Sequence, residues 1–153
     1  MITTQAQQLG ATIIRQPFDT PGVGRSSVIQ DQQGAIIGAT LPTHTFPAPK
    51  GTFIGDELIT NDVTAAERFY GELFGWPSPG TDTVSVRQAS LGAAGFAAWV
   101  PYFATQDVEA TLTQAKRLGA SEHQTFTDQA KGPPKIVLAD PMGALFGLVG
   151  PNA

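Results

Sequence analysis

Four side chains are placed where they could contact a ligand: Phe53, Glu57, Trp99 and Tyr102. Glu57 lies in the apolar run TFIGDELIT (52–60), whose length and β-branched residues predict a strand. Alternate side chains of a strand share a face, so Phe53, Gly55 and Glu57 point the same way. A single inward carboxylate can bind an amine or serve as a general base; it can equally pair with a buried hydroxyl or with the neighbouring linker. Tyr102 shares a face with Val100 in VPYFATQ (100–106), where its phenol meets either a ligand or an internal hydrogen-bond partner. Trp99 and Trp76 read as packing or as ligand platforms.

The remaining candidates point to less chemistry. The chain has no cysteine, which removes disulfides, thiolate catalysis and thiolate metal sites. Its two histidines stand apart. His44 lies in the proline-rich THTFPAPKG (43–51), and His123 follows Glu122, so strand alternation turns those two side chains to opposite faces. Arg25 follows PGVG, which is too short and too poorly placed for a phosphate loop. No residue set for catalysis emerges, and neither a cofactor nor a metal is expected.

The elements that must position these residues are announced by repetition. DQQGAIIGATLP (31–42) is echoed by DPMGALFGLVGP (140–151), so that Asp31 maps onto Asp140, 109 residues on. The same shift carries Leu9-Gly10-Ala11 onto Leu118-Gly119-Ala120 and Thr4-Gln5-Ala6 onto Thr113-Gln114-Ala115, with no gap. A shorter shift lays TNDVTAA (60–66) over TQDVEAT (105–111). Residues 52–100 predict a strand, a helix over 62–74 capped by Asp62 and ended by Gly75, then strands at 82–89 and 93–100. Ala66, Phe69, Tyr70 and Leu73 form that helix's inner face. Residues 100–151 predict a strand, a helix over 107–118 capped by Asp107, and strands near 122–127, 135–140 and 144–150. The domain organisation is therefore an incomplete αβββ unit at 1–42, a linker at 43–51 and a module of two βαβββ units at 52–151. The fold class is α+β, with paired βαβββ units in mixed, curved sheets.

The stretches ELITNDVTAAERFYGELFGW, WVPYFATQDVEA, LGA and DPMGALFGLVGP resemble the vicinal oxygen chelate superfamily, which includes glyoxalase I, bleomycin-resistance proteins and extradiol dioxygenases. The likeness is to the tandem-module, glyoxalase-like branch, and it covers 52–151 as a complete module and 1–42 as the tail of a preceding one. It implies a concave sheet face as the site. It also implies metal ligands in the first strand of each unit, seven residues before the capping Asp, and in the last strand. Those positions hold Gly55 and Val100 in the first strands, and Gly147 and Gly38 in the last. None offers a lone pair to a divalent ion.

Composition bounds the rest. With 153 residues, 41% hydrophobic and only 14% charged, the chain can bury a core. A formal charge of −4 and no lysine or arginine cluster argue against nucleic acid or an anionic membrane as partner. The N-terminal MITTQAQQLGA is not a signal peptide and no apolar stretch is long enough to span a bilayer, so the location reads as cytoplasmic. The function expected from these features is metal-free binding of a small, partly apolar molecule. A glyoxalase-like lyase or dioxygenase-type enzyme and an assembly or regulatory module are the alternatives. A carboxylate without a basic neighbour at Glu57 would favour a cationic or hydrogen-bond-donating ligand. A homodimer is expected, with exchange of elements between chains left open, because the N-terminal unit lacks its first strand.

Overall fold

The computed structural model describes residues 1–45, 51–77, 80–81, 83–89, 97–126 and 135–151. The chain divides into two compact units, Met1–Pro49 with Leu58–Trp99 and Lys50–Glu57 with Val100–Ala153.

In the first unit, helix α1 (Ile2–Gln8) is followed by strands β1 (Thr12–Thr20), β2 (Gly24–Gln30) and β3 (Ile36–Pro42), which form an antiparallel sheet in the order β1-β2-β3. The later part of β4 (Phe53–Thr60) leads into helix α2 (Val63–Phe74). Strands β5 (Gly80–Thr81) and β6 (Val84–Gln88) join it in the order β5-β6-β4. Helix α2 starts where expected, since the Asp62 carboxylate accepts the Ala65 N–H at 2.9 Å and satisfies one of the orphan donors of the first turn. Its buried face is Ala66, Phe69, Tyr70 and Leu73, at the predicted helical spacing. That face packs with Ala6, Ile29, Ala35, Ala39 and Leu58 into one core.

In the second unit, the early part of β4 is followed in space by β7 (Ala97–Ala104), β10 (Leu145–Val149), β9 (Lys135–Ala139) and β8 (Ser121–Phe126). β7 and β10 run parallel, and β10-β9 and β9-β8 antiparallel, so the sheet is mixed. Helix α3 (Val108–Arg117) is capped by Asp107, which accepts the Ala110 N–H at 2.9 Å. It lays Val108, Leu112 and Ala115 against Ile136, Leu138 and Leu148. The fold is α+β, as the sequence predicts.

The expected pair of strands, 93–100 and then 100–106, is corrected. Ala97–Ala104 is one continuous strand, and residues 90–96 lie outside the described residues. The strand runs through Pro101, whose ring-fixed φ is one that extended backbone accepts.

The repeated DxxGA stretches are one turn built twice. The Asp31 carboxylate accepts the N–H groups of Gln33 and Ala35 at 2.8 and 2.9 Å. The Asp140 carboxylate accepts those of Met142 and Ala144 at the same distances. Gly34 and Gly143, at φ 98° and 88°, take the left-handed position that each turn needs.

Candidate functional site

Glu57 ends the part of β4 that belongs to the second unit and is 2% exposed. Burying a carboxylate is costly unless it is paired and hydrogen-bonded. Two partners satisfy that requirement. The Tyr102 hydroxyl donates to Glu57 Oε2 at 2.8 Å, and the Lys135 ammonium lies 3.1 Å from Oε1. Lys135 Nζ also sits 4.7 Å from the centre of the Tyr102 ring, a cation–π contact.

The sheet register explains why these groups meet. Tyr102 on β7 is level with Gly147 on β10, and Gly147 is level with Val137 on β9. Side chains in such a row share a face. Lys135 is two residues along β9 from Val137 and projects on that same face. Gly147 contributes no side chain, and the Tyr102 ring occupies the space it leaves. A Cβ built at Gly147 would overlap the Tyr102 ring carbons.

The expected absence of a basic neighbour beside Glu57 is therefore corrected. Lys135 lies 78 positions away in the chain, and only the β7-β10-β9 register brings it to the carboxylate. The cationic ligand inferred from an uncompensated charge loses its basis.

Two of the four candidate contact residues, Glu57 and Tyr102, come together; the other two go elsewhere. The Phe53 ring meets the edge of Phe103, with centroids 6.2 Å apart. Trp99 belongs to the first unit. Its indole N–H donates to the Tyr70 hydroxyl at 3.1 Å, and its ring stands edge-on to Tyr70 and Trp76. The Tyr70 hydroxyl in turn donates to Asp31 Oδ2 at 3.0 Å. Burial, together with the charge on Asp31, pushes the Tyr70 phenol far above its ordinary range. Trp76 packs in the same aromatic group, stacked on Phe74. Both histidines, His44 and His123, are exposed.

The metal that the resemblance implies does not fit this residue set. Val100 is fully buried and aliphatic, Gly55 and Gly38 carry no donor, and the Gly147 position is covered by the Tyr102 ring. Among the described residues there is no group of three or more His, Cys, Asp or Glu able to hold an ion. The arrangement offers instead a buried carboxylate–phenol–ammonium trio that ties three strands together.

Residues 53–149 match the family described as a glyoxalase-like domain. The chain is 26% identical over 167 residues to the anthracycline biosynthesis protein DauV of Streptomyces sp. strain C5, covering 97% of this chain and 60% of that protein. It thus spans about three fifths of that relative's length. Among solved structures, the 2,3-dioxygenase LapB from Pseudomonas sp. KL28 is similar at a TM-score of 0.55 and 14% identity, covering 99% of this chain and 67% of that one. The Mn(II)-bound glyoxalase from Novosphingobium aromaticivorans is similar at 0.52 and 12% identity, covering 99% and 59%. These two structures share the fold. Among the described residues no helix is long and apolar enough to cross a membrane.

Proposed function

As the chain belongs to the glyoxalase-like domain family, we propose that it is a metal-independent small-molecule-binding protein that holds a small, partly apolar ligand. One observation carries this reading: the Tyr102 ring lies over Gly147, where the resemblance implies a metal ligand, and its hydroxyl is tied to Glu57. Glu57 is committed to Tyr102 and Lys135, so it is poorly suited to act as a free base. The relative DauV is named for anthracycline biosynthesis, and small-molecule handling is the setting we infer here as well. The same reading takes the protein to be a cytoplasmic homodimer.

The trio also supports a second reading as a lyase-type enzyme, since Tyr102 and Lys135 share a proton donor's position at one carboxylate. Turnover of a bound compound would favour it.

A thermal-shift screen of neutral aromatics, amines and drug-like compounds, run with and without a chelator, tests the proposal. Hits that raise the melting temperature equally in both conditions support it. Hits that appear only with added Mn(II) or Zn(II) overturn it.

A further inference from the structure

The first unit contains a groove of about 410 Å³, lined by Ile2, Pro17, Ser27, Ala39, Leu41 and Phe74 among others and by no member of the Glu57 trio. Ser27 and Ala39 are register partners on β2 and β3, so their side chains share one face of the sheet. Ile29 lies on that face too and packs into the core beside α1 and α2. Gly38, the position tied by resemblance to a metal ligand, neighbours Ala39 and faces the other way. The groove is thus on the helix-covered side of the sheet.

Three features define what it would take. Its volume falls within the range of roughly 300–1,000 Å³ usual for small-molecule sites, and its walls are mostly apolar. Ser27 is 2% exposed and its hydroxyl has no hydrogen-bond partner, which is an unfavourable state for a buried polar group. Arg25 at the lining is held in an ion pair by Asp19, so the rim presents no uncompensated charge from that pair.

We propose that this groove binds a small uncharged apolar molecule carrying one hydrogen-bonding oxygen, with Ser27 as the partner for that oxygen. The proposal rests on the small-molecule reading above and moves its site from the trio to the groove. Leu41, 75% exposed, stands at the mouth, and Ala39 and Phe74 receive the apolar body.

The test uses the full chain and Nile red, a neutral apolar dye with a carbonyl oxygen, followed by fluorescence titration. Saturable binding of one dye per chain is expected. Leu41→Asp, a change at an exposed position, should weaken it at least tenfold without moving the thermal midpoint. Ser27→Ala should weaken it about fivefold, the loss of one hydrogen bond, and should leave the midpoint unchanged or higher because no existing bond is removed. Non-saturable binding, or equal affinity in all three proteins, overturns the proposal. Dye binding that survives both groove variants but falls in Tyr102→Phe also overturns it, while leaving the small-molecule reading in place. That reading is lost separately, if the metal-free screen returns no hit of any kind.

Discussion

Gly147 is small because Tyr102 lies across it, and the pair behaves as a single packing unit. Gly147→Ala puts a methyl group into the ring. Displacing Tyr102 also strains its bond to Glu57, so the cost should fall in the overpacking range of about 1–3 kcal/mol. Urea denaturation checks the value, and adding Tyr102→Ala to Gly147→Ala should cost less than the two single changes summed, because one relieves the other. Strict additivity would show that the two residues do not meet. A second residue, Asp56, gives a pH signature. Partial burial raises its carboxyl above the ordinary value of 3.8. The folded chain therefore keeps that proton to higher pH than the unfolded chain does, and stability falls as pH rises through the window above 3.8. Asp56→Asn removes this fall. Variant and wild type should melt alike near pH 3, and the variant should melt higher at pH 7. A difference that is the same at both pH values would refute the assignment.

The elements were legible where the signal is local. The turn at 31–35 and its copy at 140–144 depend on an aspartate and a glycine at fixed offsets, and the helices at 63–74 and 108–117 depend on a capping aspartate and a helical stripe. What escaped the sequence is non-local. Lys135 reaches Glu57 through a parallel strand pairing that no spacing reveals, and the fusion of two expected strands into 97–104 reflects the absence of a break more than any positive signal. The twin turns supply a prediction at this scale. Asp140→Ala removes an acceptor for two N–H groups at a half-exposed site and should cost about 1 kcal/mol. Asp31→Ala removes the same two bonds and also the acceptor of the buried Tyr70 hydroxyl, so it should cost about 2–3 kcal/mol. Chemical denaturation of both variants ranks them, and equal losses would mean that the Tyr70 bond contributes nothing.

For the whole molecule, the sheet β1-β2-β3 ends on β3, which carries Ile36 at 51% exposure and no charged residue. β1 at the other edge has Arg15, Pro17 and Asp19 and two register shifts, features that discourage strand pairing. The proposed homodimer is expected to use the β3 side, so Ile36→Lys, a change at an exposed position, should shift light scattering from dimer to monomer at micromolar concentration; a wild-type monomer under the same conditions would refute the dimer. We infer that side chains of this chain stand where the resemblance implies metal ligands. Calorimetric titration of chelator-treated protein with Mn(II), Fe(II), Ni(II) and Zn(II) tests it most directly. No saturable heat and no change in melting temperature are expected with any of them; one ion bound per chain at micromolar affinity or tighter would refute the inference.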